Sequence, residues 1–151
     1  MTRLTQGLGL IAVAIAIKLL LQLLPDAIIL PLFCRPPATL AAWWFRVPLE
    51  AHTLTYIVDG ITFEMARSCS AERFFAIATA LLIWRAPKWC WGAFPLTLVL
   101  NSLRAILTAT LTLIFHGWRF EGLVHLTAGA LLFISTLYLL WILTERHHHV
   151  R

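Results

Sequence analysis

Three short stretches of this sequence, at the start of or within apolar segments, contain residues whose side chains could act together in a reaction. Cys69 lies in "ARSCSAERFF", Arg104 in "NSLRAI" and His125 in "VHLTAGALL". A thiolate is a nucleophile, a guanidinium binds anions, and an imidazole exchanges protons near neutral pH. Whether these groups act together depends on the elements that position them, and each also has a simpler explanation.

Arg104 is unusual because it lies in the middle of an apolar segment, residues 89–115. A lipid-facing arginine near the middle of a bilayer costs about 2.5–3.5 kcal/mol. We therefore expect Arg104 to face a partner or a wet cavity. The alternative is that it only joins helices, through carbonyl groups, Asp59 or Glu64. Polar residues at steps of three or four share one side of this helix: Thr97, Asn101, Arg104, Thr108 and Thr112.

Cys69 opens a predicted helix, where exposed N–H groups and the positive end of the helix dipole favour a thiolate. Arg67 and Arg73 add positive charge nearby. We expect a reactive thiol. The alternatives are a buried inert thiol and a disulfide with Cys34, because both cysteines would face an oxidising compartment.

His125 taken alone fits an interfacial residue as well as a catalyst. Ala128 and Gly129 follow within about one turn and would let a neighbouring helix approach closely. His52 and His116 are weaker candidates. The membrane region shows no paired ligand spacing of the kind that zinc requires, so we expect neither a metal nor a cofactor.

The composition predicts an integral membrane protein with a single domain, residues 1–151. The chain has 151 residues, of which 60% are hydrophobic and 13% charged, whereas soluble domains are about 45–50% apolar and about 25% charged. The net charge of +5 comes from Lys and Arg near the ends of apolar segments, where they face lipid headgroups. We therefore expect a lipid bilayer and no nucleic acid as the partner.

We predict an all-α fold with about four transmembrane helices, since about 20 residues cross the hydrocarbon. We expect the first stretch to be retained rather than cleaved as a signal peptide. The segment "IILPLFC", residues 28–34, is too short to cross and is followed by prolines. We expect it to be re-entrant or interfacial, with a fifth, kinked helix as the alternative. The four apolar segments are 4–24, 71–84, 89–115 and 123–143.

The stretch "TLTYIVDGITFEM" alternates apolar and polar residues around Asp59-Gly60. This dipeptide favours a type I′ turn, so the pattern predicts a β-hairpin before the second helix. A hairpin cannot lie exposed in lipid. We expect it at the extracytoplasmic surface, packed on the helices.

Basic residues predict the orientation, because cytoplasmic loops carry an excess of Lys and Arg. With four helices, Cys69 and His125 then stand at the outer ends of their helices. Arg104 lies eleven residues before Phe115, roughly 16 Å from the outer end at 1.5 Å per residue. All three fall in the outer half of the membrane. The basic residues on the cytoplasmic side are Arg3, Arg85, Lys88, Arg146 and Arg151.

The runs "DGITFEMARSCSAER", "NSLRAI" and "VHLTAGALLF" together resemble the core of the exosortase/archaeosortase family of membrane cysteine transpeptidases, over residues 57–143. That family's pattern is a hairpin-like stretch leading to Ala-Cys-Ser-Gly, then Asn-x-x-Arg within an apolar helix, then a His that opens the next helix. Ser68 and Ala71 depart from the family's alanine and glycine, and the chain is shorter than typical bacterial exosortases. The matching residues are Cys69, Ser70, Asn101, Arg104 and His125.

The resemblance implies a protease or transpeptidase that cleaves a C-terminal sorting signal from exported, membrane-anchored proteins at the plasma (inner) membrane. Cys69 would attack the scissile carbonyl to give a thioacyl-enzyme, and His125 would transfer the proton. Arg104 would stabilise the oxyanion or the thiolate. Water or an amine would then release the product. Asn101, Ser70 and Arg73 are the candidates for supporting these groups or contacting the substrate.

Two non-enzymatic interpretations remain open on the residues alone. A small transporter or channel subunit could bind an anion at Arg104. A membrane assembly factor could instead use Arg104 to bind a partner helix. Both would tolerate loss of the Cys69 thiol, whereas a cysteine enzyme would not.

Overall fold

Helices separated by short breaks, and one β-hairpin, make up the computed structural model of the chain. It describes residues 3–115 and 121–149, with side chains for residues 5–115 and 126–145. The helices are α1 (Arg3–Leu23), α2 (Asp26–Ile29), α3 (Arg35–Phe45), α4 (Glu72–Arg85), α5 (Ala93–Ile114) and α6 (Glu121–His149). A π-helical turn (Leu30–Cys34) joins α2 to α3, and 3-10 segments (Arg67–Cys69 and Pro87–Gly92) precede α4 and α5. The strands are β1 (Thr55–Val58) and β2 (Ile61–Glu64).

Four helices within the described ranges are long and apolar enough to cross a membrane. Their spans are Thr5–Leu23, Asp26–Phe45, Pro87–Ile114 and Leu126–Glu145. Three of them coincide with predicted segments. The fold is thus mostly helical, and the hairpin makes it other than strictly all-α.

The expectation that residues 28–34 form a re-entrant or interfacial segment was wrong, and the alternative of a further helix is the one found. Asp26–Phe45 is one helical span, here called the α2–α3 helix. Pro31 lies in the first turn of the π-helical segment and Pro36 in the first turn of α3, where a missing N–H is tolerated. The π-helical turn keeps the chain helical between them, because the Arg35 N–H bonds back to the Leu30 carbonyl.

The predicted second span, residues 71–84, is a helix but a short one. The helix α4 has 14 residues, which is about 21 Å, and about 20 residues are needed to cross. It stops before Pro87, since a residue preceding proline avoids the helical region, and it begins only after Ala71, whose φ is +58°. The α2–α3 helix supplies a longer apolar span instead.

The helices α1 and α4 pack antiparallel. Near the start of α1, a Cβ at Gly9 would lie 3.1 Å from the Trp84 ring at the end of α4. At the other end, Arg67 hydrogen-bonds the carbonyls of Leu21 and Leu24. The turn before α4 therefore lies beside the end of α1.

Helix α6 packs against α4 along its length, including the C-terminal end of α4. The guanidinium carbon of Arg85 lies 3.6 Å from the Trp141 ring centroid, a cation–π contact. Near the start of α4, Phe74 stacks on Phe133 of α6 at 4.9 Å between ring centroids. Arg85 and Trp141 thus mark one end of the bundle, opposite the turn that carries Cys69.

The predicted hairpin is confirmed. Val58 pairs with Ile61 across the turn, and Asp59 and Gly60 both have positive φ, +50° and +81°, as a type I′ turn requires. Tyr56 and Val58 are buried in one cluster with three small residues of α3, which are Ala38, Ala41 and Ala42. The hairpin is therefore anchored on the α2–α3 helix.

We predict that Ala71→Gly destabilises the protein less than Ala66→Gly. Ala71 has a left-handed backbone, φ +58°, where a Cβ costs roughly 1–2 kcal/mol, whereas Ala66 is extended (φ −79°, ψ 170°). Glycine adds flexibility to the unfolded chain at both sites but relieves strain only at residue 71. We expect the two free energies of unfolding in detergent to differ by about 1 kcal/mol. Equal losses in the two variants would contradict this assignment.

Candidate active site

Cys69 lies on a tight turn and not within the first turn of α4. Its N–H donates to the Ala66 carbonyl at 2.8 Å, and the Ser70 N–H donates to the Arg67 carbonyl at 2.9 Å. The first residue of α4 is Glu72, three positions later. The predicted effect of the helix dipole on the thiol is correspondingly weaker, because the field of a helix end falls off within one turn.

Arg67, which the sequence places near Cys69, ties together three helix ends. Its Nη1 donates to Asp26 Oδ1 at 2.7 Å and its Nε to Glu72 Oε1 at 3.2 Å. The carbonyls of Leu21 and Leu24 accept two further bonds at 2.9 Å. Hydrogen bonding to Asp26 is the main cause that raises the pKa of Arg67. Two carboxylates thus balance this charge.

Ser70 and Arg73, the two predicted site residues that follow Cys69, differ in exposure. Ser70 is buried at 2% exposure. Arg73 is exposed, and its neighbour Phe74 is buried. Their roles toward a substrate stay predictions.

Arg104 occupies the interior, as predicted. Its side chain is only 7% exposed in the middle of α5, and its Nη2 donates to the Cys69 carbonyl at 2.5 Å. The guanidinium carbon lies 5.5 Å from the Phe133 ring centroid. A Cβ at Gly129 would lie 3.1 Å from the Arg104 Cδ, so the glycine makes room for the arginine. The structure thereby brings Arg104 to Cys69.

The guanidinium has no acidic partner in the described part of the chain. Both ion pairs found there belong to Arg67, so no carboxylate there lies within ion-pair distance of Arg104. The Arg104 Nε and the Asn101 Oδ1 are both buried without a hydrogen-bond partner in that part. Buried polar groups normally have partners, so a small movement that exposes the Arg104 Nε would let it bind an anionic group.

The polar stripe on α5 is not uniform. Thr97 donates to the Ala93 carbonyl of its own helix at 2.7 Å. Asn101 instead reaches out of the helix, and its Nδ2 donates to the Phe33 carbonyl at 3.1 Å. Among these neighbours, Asn101 therefore connects α5 to another helix, and Thr97 does not.

His125 belongs to α6, but its side chain lies outside the described residues. Gly129, one turn later on the same helix, contacts Arg104. The structure thus brings the Arg104 guanidinium to the main chain of Cys69, whereas its predicted meeting with the Cys69 thiol and the His125 imidazole stays a prediction. His116 lies outside the described ranges, and His52 is exposed. Within those ranges no group of three His, Cys, Asp or Glu could hold a metal ion.

Near the turn, the sequence reasoning missed Tyr56 and considered Cys34 only as a disulfide partner of Cys69. Tyr56, on the buried face of the hairpin, has a pKa that burial raises to about 12, and Cys69 adds to this shift. Cys34 donates its thiol to the Ala66 carbonyl at 3.5 Å. Cys34 and Cys69 are both thiols, with no disulfide between them. Strand alternation could have predicted that Tyr56 lies on the same buried face of β1 as Val58. The position of Cys34 could not be predicted, because residues 28–34 were not expected to form part of a long helix.

Comparisons with protein-family models, with curated proteins and with solved structures find no match for this chain. The resemblance to exosortases therefore rests on the residues of the site and on their order along the sequence.

Proposed function

We propose that this chain is a membrane-embedded cysteine protease or transpeptidase that cleaves a C-terminal sorting signal from exported proteins. The observation that carries this proposal is the buried Arg104, whose guanidinium hydrogen-bonds the main-chain carbonyl of Cys69. A cation fixed beside a thiol in apolar surroundings can stabilise the negative charge that develops during acyl transfer.

Exposed side chains support insertion in a membrane, which under this proposal is the plasma (inner) membrane. Large apolar residues such as Leu19, Leu20 and Leu23 are exposed along α1, as lipid contact requires. Two pairs of exposed tryptophans stand near opposite ends of α5. Trp89 and Trp91 precede it, and Trp43 and Trp44 lie at the end of α3, where Phe45 packs on the same cluster as Leu113. Tryptophans are typical of membrane interfaces.

The basic loop supports a site near the extracytoplasmic face. Arg85 and Lys88 lie at the Arg85–Trp141 end of the bundle, which the positive-inside rule assigns to the cytoplasm. Gly129, which contacts Arg104, precedes Trp141 by twelve residues of α6, roughly 18 Å. In a hydrocarbon core about 30 Å thick, the Cys69 turn then lies in the outer half.

In the proposed reaction, Cys69 is the nucleophile, His125 transfers the proton and Arg104 stabilises the oxyanion. The Cys69 thiol gives its proton to His125 as the sulfur attacks the scissile carbonyl carbon. The resulting oxyanion accepts a hydrogen bond from the Arg104 Nε, which has no hydrogen-bond partner among the described residues. The carbon–nitrogen bond then breaks, and the imidazolium returns the proton to the leaving amine. Water or an amine then attacks the thioester carbonyl carbon, the carbon–sulfur bond breaks, and the proton that the attacking group loses passes to the Cys69 sulfur.

A groove between α5 and α6 supports lateral entry of a substrate that is itself a membrane helix. It encloses about 320 Å³ and is lined mainly by apolar side chains, including Leu107, Leu111, Ala128 and Leu131. Ala128 adjoins Gly129, which contacts Arg104. A helix in this groove would therefore lie beside the guanidinium.

Anion or partner binding at Arg104 is the second candidate. It is favoured by the Nε that lacks a partner among the described residues. This function would need the guanidinium but not the thiol, which separates the two candidates.

We predict that Cys69→Ala and Cys69→Ser abolish processing of an exported protein that ends in a short motif, a membrane helix and a basic tail. Removing a nucleophile costs on the order of 10³-fold or more in rate. Processing is measured by immunoblot of the substrate's C-terminal tag, with Cys90→Ala as the matched control. Normal processing by Cys69→Ser would end the cysteine-enzyme proposal and leave anion binding.

We predict that Arg104→Lys lowers the cleavage rate by roughly 10²–10³-fold, the loss expected for one transition-state donor. Lysine keeps the charge but cannot hold the Cys69 carbonyl and a second group in fixed directions. Single-turnover cleavage in detergent measures the loss, and Arg85→Lys, at the other end of the bundle, serves as the control. Unchanged cleavage by Arg104→Lys would remove Arg104 from the mechanism.

A further inference from the structure

Asn101 makes a contact that joins two helices distant in sequence. Its side chain is fully buried on α5, and its Nδ2 donates to the Phe33 carbonyl of the α2–α3 helix at 3.1 Å. With no exposed surface and one amide hydrogen engaged, Asn101 is poorly placed to touch a substrate.

The Phe33 carbonyl needs this donor because of a proline. In an α-helix, the carbonyl of residue 33 accepts from the N–H of residue 37, and Pro37 has no N–H. Phe33 and Pro37 are both buried, and a buried carbonyl without a partner is strongly unfavourable. Asn101 supplies the hydrogen bond that the proline removes.

The same place connects to the thiol through a short series of hydrogen bonds. Cys34, next to Phe33, donates its thiol to the Ala66 carbonyl. That carbonyl also accepts from the Cys69 N–H at 2.8 Å, and the Cys69 carbonyl accepts from Arg104. The series thus starts at Asn101 and ends at Arg104, three residues later on α5.

We propose that Asn101 is a positioning residue: it fixes the α2–α3 helix against α5 at the carbonyl that Pro37 leaves open. Through Cys34 and Ala66, this contact holds the Cys69 turn in register with Arg104. The consequence for catalysis rests on the proposed function, whereas the consequence for the position of the turn does not.

The test compares Asn101→Leu with Ser102→Ala. Leucine has a similar size but no donor, and the Ser102 hydroxyl donates to the Leu98 carbonyl of its own helix. We expect Asn101→Leu to lower the single-turnover rate of thioacylation by roughly 10–100-fold, as small misplacements do, with little change in substrate KM. We also expect maleimide to alkylate Cys69 several-fold faster, because the turn is less firmly held.

Mass spectrometry of each cysteine peptide gives the second readout, and Cys90 serves as its internal control. Alkylation of Cys69 does not require a substrate. If the wild-type protein cleaves nothing, the proposed function fails while the inference is still decided by alkylation. Equal Cys69 alkylation in Asn101→Leu and Ser102→Ala would overturn the inference.

A proline substitution distinguishes positioning from a general loss of structure. In the Asn101→Leu background, Pro37→Ala restores an N–H that can reach the Phe33 carbonyl, and we expect it to return Cys69 alkylation toward the wild-type rate. Pro36→Ala instead restores an N–H that faces the carbonyl of the exposed Leu32, so we expect it to leave the rate of Cys69 alkylation unchanged. If Asn101→Leu alone does not fold, recovery of the fold by Pro37→Ala but not by Pro36→Ala supports the inference. Equal recovery by both substitutions, or by neither, overturns it.

Discussion

The hydrogen bond between the Arg104 guanidinium and the Cys69 carbonyl is the constraint on which the arrangement of the site depends. A cation taken into apolar surroundings is strongly unfavourable unless polar groups compensate it. Here a main-chain carbonyl and the Phe133 ring do so, and Gly129 leaves the space. Helices α5 and α6 and the turn before α4 therefore meet at one side chain.

Backbone irregularities gather around that side chain. A π-helical turn ends at Cys34, a 3-10 turn ends at Cys69, and Ala71 has a left-handed φ of +58°. Each departs from ideal geometry, and such departures persist where surrounding contacts impose them and are concentrated at functional sites. The Cys34 and Cys69 segments are joined by the Ala66 carbonyl, which both residues bond. The irregular segments that end at Cys34 and Cys69 are thus connected to each other by hydrogen bonds.

Local patterns predicted much of the fold and less of the site. The hairpin followed from Asp59-Gly60, and three of the four long apolar helices followed from hydropathy; the transfer cost of a charge placed Arg104 inside. The α2–α3 helix was only the alternative prediction because its prolines signal a stop, and the Asn101 bond that compensates Pro37 comes from a residue distant in sequence. The pairing of Arg67 with Asp26 and Glu72 was not predicted, because it depends on how the ends of α1, α2 and α4 meet in the fold.

Among the described residues, Arg104 is the buried cation that bonds the main chain of Cys69. The charge of Arg67 is taken up by Asp26 and Glu72, and Cys69 stands three residues before α4, where the dipole acts weakly. One guanidinium must then fix the Cys69 carbonyl through Nη2 and still offer Nε to a developing anion. The planar fork of arginine can serve two acceptors in fixed directions, whereas a lysine ammonium is a single point charge. The residue type at position 104 therefore follows from the geometry of the turn as well as from the need for charge.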